Sequence, residues 1–456
     1  MTGAGVVKDI GAAALLERLR DRTDEAEVFG ASSDALEVRF TAGQVKTALA
    51  RESSGLAVRA KKGGRLGFAG SRDTSVEGLD RLVLHTEHSI DVGDATEVRF
   101  PGQAPAPVDD EALGGHDEAT AALGVADLVA YGRQVVDPLR ARFPGVVFDV
   151  VIRRAAGRTE LVNSAGARVA HRRTVFSVGV EANRTQDQDV LMDYTSVAAP
   201  ARAAVDPAEV VAPLLQRLAW AERTVAFQPG RLPVLFTPPG SLVLWGPLLE
   251  ALSGKTVMLG TSPLREKVGQ RVLDPRVHLT DDGLLPGALG SAPFDDEGVP
   301  RRRTPLVEAG VLRGFVHDLE TAQATGQAPT GNGERGGVMG RPGPGFSNIV
   351  AREGEAPWAD LLKGVRRGLL VQSVIGMGQG NTLPGTFSNP IDVAYAIEDG
   401  QVTGRVKDVS IAGNVYDLLG PAHLGGLSRE VESVYGAYRL PWLLVNDVNV
   451  VGKGGA

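Results

Sequence analysis

The sequence predicts an α+β protein: helix and antiparallel-strand units at the N-terminus, followed by a large Gly-rich, mainly antiparallel β domain. Three observations predict it. Short stretches of alternating apolar residues recur at close intervals through the first half of the chain, framed by amphipathic helical stretches. From Arg231 onward helical periodicity becomes scarce, while glycines and hairpin signals such as Glu308-Ala309-Gly310 and Glu398-Asp399-Gly400 multiply. Between Gly326 and Ile349 lies a long stretch of Gly, Pro, Asn, Thr and Arg, directly followed by strand-like sequence. A loop of that length inside a compact domain is uncommon, and its tight junction with a strand predicts an ordered loop lying against something.

Taken in order, Asp9 is expected to cap a helix with the stripe Ala12, Leu15, Leu16 and Leu19. Strands are expected over 26–30, 35–40, 45–50, 55–60 and 65–69, with Lys62-Gly63-Gly64 turning between the last two. A helix through Leu79, Leu82 and Val83 closes the first unit. Residues 91–115 are acidic and rich in Pro, Ala and Gly, the composition of a linker. A second helix carries Val125, Leu128, Val129, Val136 and Leu139, with a bend expected near Pro138. Strands follow over 146–152, 159–162, 168–182 and 190–198. In the third of these Thr174, Phe176, Val178 and Val180 share one face. Asp206-Pro207 starts a helix in the cap-then-N1 order. After a short strand at 232–236, a helix is expected over 241–253 with Gly254 ending it. Asp318 is placed to N-cap a short helix that Gly326 stops. These boundaries predict three units: 1–112, 113–227 and a β-rich domain over 228–456.

With 456 residues there is enough chain for two or three substantial cores, and 43% apolar content is ordinary for a soluble globular protein. The net charge of −7 is spread along the chain. Its Arg-dense spots (Arg172-Arg173, Arg301–Arg303, Arg366-Arg367) lack the interleaved aromatics of a nucleic-acid surface, which argues against a nucleic-acid partner. The absence of cysteine excludes disulfides, thiolate catalysis and Cys-ligated metal on this chain and fits a reducing compartment. The most apolar window, 232–252, is broken by Pro238, Pro239 and Pro247, so no membrane span is expected. A cytoplasmic location is the expectation.

Familiar motifs fail on context. Gly331-Asn332-Gly333-Glu334-Arg335-Gly336 fits GxGxxG, yet it follows a helix and leads into a Gly/Pro loop, where a dinucleotide fingerprint needs a strand before and a helix after. Gly254-Lys255-Thr256 lacks the first glycine of a P-loop, because position 249 is Leu. No GxSxG elbow occurs. His85 and His88 are spaced i, i+3 on a helix with no third ligand nearby, the pattern of a solvated helix end. His317 beside Asp318 is a poor chelate, because neighbours on a strand point to opposite faces.

Ordered, weak matches accumulate along the chain: Asp318-x-x-Thr321-Ala322, Gly326, Thr330-Gly331-Asn332, Asn348, Gly368 through Gly376 to Asn381, Gly385-Thr386-Phe387-Ser388, Gly400, Lys407 and Gly413-Asn414. Ser54–Arg59 and Gly64–Ala69 add to them. Together they resemble the TldD/PmbA (TldE) family of metallopeptidase-associated proteins across essentially the whole chain. The resemblance implies two kinds of subunit. A TldD-like one carries an HExxxH helix near the start of the C-terminal domain and draws a Cys from near the C-terminus. Two imidazoles one turn apart would hold Zn²⁺, and the Glu would take the proton of the metal-bound water. Here the corresponding helix, 242–252, contains no His and one acid, Glu250; the segment 433–438 contains no Cys.

The resemblance therefore implies a TldE/PmbA-like, zinc-ligand-lacking subunit with no catalytic residue or metal ligand of its own. Zinc is expected on a TldD-like, HExxxH-containing partner, and the substrate is expected to be an unfolded or leader-type peptide in extended conformation. Asp318, Thr330, Gly331, Asn332, Arg335, Asn348 and Asn381 are the candidates for lining the chamber or the subunit interface; the other reading of their loop is packing within its own domain. The alternative function is a homodimeric peptide-binding scaffold that hydrolyses nothing.

Overall fold

The computed structural model describes residues 11–187 and 189–452; the expected cap at Asp9 lies outside them. Six strands form the first sheet: β1 (Glu25–Thr41), β2 (Gln44–Lys62), β3 (Arg65–Ser71), β4 (Val147–Asn163), β5 (Arg168–Gln186) and β6 (Asp189–Ala199). Their order is β3-β2-β1-β4-β5-β6. The expected strand pairs 26–30/35–40, 45–50/55–60 and 146–152/159–162 are each one long strand. Polar stretches such as Ser32-Ser33-Asp34 mask the continuity in sequence, but they stay in register, Ser33 opposite Ser53 and Gly157.

The expected division at 112/113 falls inside this sheet. β1 pairs antiparallel with β4 from Glu27–Asn163 to Phe40–Val150, so strands from both sides of that boundary form one layer. Their alternation explains the join. Val28, Val38 and Phe40 on β1 and Phe148, Val150 and Ile152 on β4 are buried, and one continuous surface covers them better than two separate edges would. Helices α1 (Ala12–Leu19), α2 (Val76–Asp91), α5 (Val125–Arg142) and α6 (Pro207–Trp220) cover that face; α3 (Asp110–Leu113) and α4 (Glu118–Ala121) are short turns between them. Ser75 caps α2 by accepting from Gly78 N, and Asp206 caps α6 by accepting from Ala208 N. His85 and His88 are exposed on α2. The linker-like stretch is pinned, not loose. Val98 and Phe100 are buried, Lys61 donates to Val98 O at 2.6 Å, and Asn163 Nδ2 donates to Pro101 O at 2.8 Å.

Past residue 229 the chain leaves this sheet and builds a second one from β7 (Gly230–Phe236), β8 (Leu279–Asp282), β9 (Arg303–Glu308), β10 (Val311–Leu312), β13 (Ile349–Ala351), β14 (Arg367–Val374), β15 (Thr386–Glu398), β16 (Gln401–Val406), β17 (Val409–Asn414), β18 (Leu424–Val434) and β19 (Tyr438–Gly452). β7 pairs with both β14 and β19, closing β7-β14-β15-β17-β19 into a barrel. The hairpins signalled at 308–310 and 398–400 are present, with Ala309, Gly310, Asp399 and Gly400 all at positive φ. β11 (Gly333–Glu334) and β12 (Gly343–Pro344) form a small ladder within the long loop. Helix α7 (Leu242–Ala251) packs Leu244, Trp245 and Leu248 into the core of this second sheet, which α11 (Val415–Leu418) joins through Val415 and Leu418; α10 (Trp358–Lys363) packs beside β18.

Gly254 does not end α7. It opens a separate short helix, α8 (Gly254–Met258), capped by Ser253. A Cβ at Gly254 would come within 2.4 Å of His317 Nδ1 and 2.6 Å of Val316 O, so close backbone approach, not helix termination, requires the glycine. The two sheets are not independent. Leu235, Leu370, Tyr395 and Trp442 of the second share a core with Phe176, Leu214 and Leu218 of the first sheet and α6.

Candidate functional site

The long loop is held by carboxylates that the sequence reading passed over. Asp281, on β8, is 1% exposed. Its Oδ2 accepts from Asn332 Nδ2 (2.6 Å) and Ser347 Oγ (2.8 Å), and its Oδ1 from Ser347 N (2.8 Å) and Asn348 N (3.1 Å). Burial pushes its carboxyl above the usual range, and the bonds from Asn332 and Ser347 oppose that shift. Asn348 in turn donates to Asp282 O (2.7 Å) and Ser291 Oγ (3.0 Å) and accepts from Gly290 N (3.0 Å). A Cβ at Gly290 would lie 2.0 Å from Ser347 O. Gly290→Ala is therefore expected to destabilise the protein by about 1–3 kcal/mol, read as a lowered denaturation midpoint.

The run Asp295-Asp296-Glu297 forms the second anchor. Asp295 accepts from Glu297 N, Val299 N (both 2.9 Å) and Gly333 N (2.8 Å). Burial and the neighbouring Glu297 push its carboxyl well up, against Arg301 and these N–H groups. Asp296 accepts from Arg335 N at 2.9 Å. Glu297 bonds Arg59 NH1 at 2.5 Å and accepts from Leu319 N at 2.7 Å. Arg59 also grips Glu27 through Nε (2.9 Å) and NH2 (2.8 Å), and Arg335 NH2 reaches Glu27 Oε1 at 2.7 Å. The four side chains are at most 4% exposed. This Glu27–Arg59–Glu297–Arg335 network ties the first sheet to the loops of the second. Burial works against the Arg59 charge, but Glu27 and Glu297 outweigh it and hold the guanidinium charged.

Asp318 caps α9 (Leu319–Thr325), accepting from Thr321 N at 2.9 Å and Thr321 Oγ1 at 2.5 Å; Gly326 ends the helix at φ 66°. His317 contacts the same hydroxyl (Nδ1–Oγ1 3.3 Å), and Thr330 bonds the His317 backbone at both N and O. Because the Thr321 hydroxyl donates to Asp318, His317 Nδ1 is the donor to it. Burial lowers the His317 pKa, so the ring is neutral. Gly331 holds φ 77° with its Cα against Pro300 O. Asp318, Thr330, Gly331, Asn332, Arg335 and Asn348 are thus brought together, but their side chains are engaged inside the protein. Asn381 stands apart on the exposed 376–385 loop, where its Oδ1 accepts from Leu383 N at 3.3 Å.

Across the sheet, His171 on β5 bonds Thr159 Oγ1 (2.9 Å to Nε2) and is pushed down to about 3 by burial and by Arg173 and Arg301. An unfolded chain protonates this ring below about 6.5 while the folded one does not, so stability present above that pH falls as pH drops from 6.5 toward 3. Between pH 7 and 5, wild type is expected to lose about 2 kcal/mol more than His171→Gln, measured by denaturant titration. Equal losses would contradict this.

The large concavity lies elsewhere. A cavity of about 770 Å³ opens between the outer edge of β6 (Tyr194–Ala199) and the last residues of β18 (Val431–Val434). Among the described residues β6 is paired with β5 alone, and along Val431–Val434 β18 is paired with β19 alone. The buried pair Arg217–Asp193 (2.8 Å) lies at its wall. Trp358 and Trp442 stack at 4.5 Å, and Trp442 Nε1 donates to Glu432 at 2.8 Å. Burial raises the Glu432 carboxyl. Thr237 and Pro239, just ahead of α7, and Ser433–Ala437 also line the cavity, as does Asn348. No sequence signal announced this site; Tyr194, half exposed at its rim, becomes conspicuous only in the structure.

The two segments in which the resemblance places zinc ligands offer none. On α7, Trp245 is fully buried with no partner for its Nε1, and Glu250 accepts from the Thr382 hydroxyl. Ser433–Tyr438 offers hydroxyl and apolar groups. Among the described residues no three His, Cys, Asp or Glu side chains converge on a metal position, and no helix is long and apolar enough to cross a membrane.

Residues 229–452 match the family model described as the PmbA/TldA metallopeptidase C-terminal domain, and residues 26–87 match PmbA/TldA metallopeptidase domain 1. A metalloprotease of Methanocaldococcus jannaschii is 34% identical over 170 residues, 37% of each chain. A metalloprotease TldD homolog of Haemophilus influenzae is 29% identical over 241 residues, 50% of each chain. The chain thus spans only between about a third and half the length of such curated relatives. The crystal structure of TldE from Thermococcus kodakarensis superposes with a TM-score of 0.89 at 25% identity, covering 96% of this chain and 99% of that one. A Thermotoga maritima structure described as a putative modulator of a DNA gyrase shares the fold, with a TM-score of 0.84 at 24% identity over 96% of this chain and 99% of its own.

Proposed function

The chain belongs to the TldD/PmbA metallopeptidase family, and from that premise we propose that it is the subunit of a two-chain zinc peptidase that supplies part of the substrate chamber and none of the metal centre. One observation carries the reading: the cavity is bordered by Ser433–Ala437, in the segment where the family resemblance places a Cys, and by Thr237 and Pro239, just ahead of the helix where it places the HExxxH ligands, and neither that segment nor that helix carries such a ligand. Zinc belongs on a TldD-like, HExxxH-bearing partner, where it would activate water. No hydrolytic step falls to this chain.

What this chain contributes is binding and orientation. An extended, unfolded or leader-type peptide can add to the outer edge of β6 or β18 through its backbone, with side chains seated against Tyr194 and the cavity walls. Of the residues singled out in the sequence, Asn348 would brace the cavity wall. Asp318, Thr330, Gly331, Asn332 and Arg335 would hold the walls, and Asn381, on its exposed loop, would meet the partner. The setting is the cytoplasm.

Co-expression with an HExxxH-bearing relative is expected to yield a stable complex with chelator-sensitive peptidase activity. Failure to associate at micromolar concentration would contradict it. Recovery of a homodimer that binds extended peptides and gains no activity from such a partner would favour the non-hydrolytic scaffold.

A further inference from the structure

The first sheet has a second free edge, far from the cavity. β3 covers β2 only over 56–62, so along 44–54 β2 is hydrogen-bonded to β1 on one side and to no strand on the other among the described residues. Residues 44–53 are exposed on both faces, Val45 by 40% and Leu49 by 49%. At a rise of about 3.4 Å per residue this is an open edge roughly 30 Å long. Folded proteins usually blunt such an edge with a proline, a bulge or a covering element. From Val45 to Ser54 there is no proline or glycine, and the register shift in this hairpin is confined to the turn end, at Arg39/Phe40.

We propose that this edge pairs with the same edge of a second copy of the chain, antiparallel about a two-fold axis at Leu49. The charges favour both the occupant and the register. Centred on Leu49, antiparallel self-pairing sets Leu49 opposite Leu49, Ala48 opposite Ala50 and Lys46 opposite Glu52, the last twice because the contact is two-fold. Slipping one residue toward the turn sets Lys46 opposite Arg51, and a parallel in-register pair sets Lys46 on Lys46; both are repulsive. Two copies would then form one continuous sheet, with each β6 edge and its cavity left at the far side of its own sheet. This contact involves no residue of the cavity, so it stands or falls separately from the peptidase reading.

Light scattering and amide hydrogen exchange on the full chain, without peptide or metal, test it. The expected result is a dimer in which amides of residues 44–54 exchange slowly. Lys46→Glu or Glu52→Lys alone should weaken the dimer about tenfold or more, and the double exchange should restore it. Both positions are solvent-exposed, so neither variant threatens the fold. A chain that stays monomeric across the micromolar range overturns the proposal. So does a dimer indifferent to both single reversals, or an edge that pairs only with a different chain.

Discussion

Arg59→Leu is expected to cost about 3–5 kcal/mol of stability, the largest single-residue effect in the molecule, because it strips the cation from buried Glu27 and Glu297. The substitution keeps an apolar stem and removes the guanidinium from two carboxylates with fully buried side chains. Glu27 retains Arg335 at 2.7 Å, whereas Glu297 keeps only the backbone N–H of Leu319 on its other oxygen. Burial already raises the Glu297 carboxyl, with Arg59 as the chief opposing influence, so the variant would shift it further upward. A raised carboxyl is relieved by protonation, so the loss should be larger at pH 8 than at pH 5. Because the network joins the first sheet to the loops of the second, melting should also become less cooperative. Equilibrium denaturation at the two pH values measures both effects, and an unchanged midpoint would show that the network contributes nothing net.

Ala198→Trp is expected to lower peptide turnover by the proposed two-chain enzyme at least about tenfold while leaving its assembly intact. Ala198 lies on the β6 edge and lines the cavity next to Gly436, where a Cβ at Gly436 would touch its methyl at 3.5 Å. An indole there fills cavity space that an added peptide strand would need. Turnover of a short unstructured peptide, set beside size measurement of the complex, separates blocked access from lost assembly. Unchanged turnover would remove the cavity from the substrate path.

Much of this architecture was legible in the chain, and the parts that were not share one cause. Alternation located strand sequence in the first half of the chain, although it split the longest strands, and the caps at Asp206 and Asp318 and the turns at Gly63-Gly64 and Asp399-Gly400 were readable because their causes are local. The merger of 1–112 and 113–227 into one sheet was not, since the β1–β4 pairing joins residues far apart in sequence. The loop at 327–348 read correctly as ordered, yet its anchors, Asp281, Asp295, Asp296 and Glu297, were passed over. Their clue was an acidic run set in the apolar sequence Ala292-Pro293-Phe294 and Val299. Gly254 was misassigned because a glycine demanded by a tertiary neighbour looks the same in sequence as one that stops a helix. The cavity was invisible for a related reason: two edge strands from different sheets form it, and no local pattern records that they meet.

Hydrolytic metal chemistry is here proposed to belong to a companion chain. Metal analysis of this chain purified alone, with a peptidase assay in the presence and absence of a chelator, tests it most directly. The account predicts no stoichiometric zinc and no chelator-sensitive cleavage until an HExxxH-bearing partner is added. Tightly bound zinc together with chelator-blocked proteolysis in the chain by itself would contradict it.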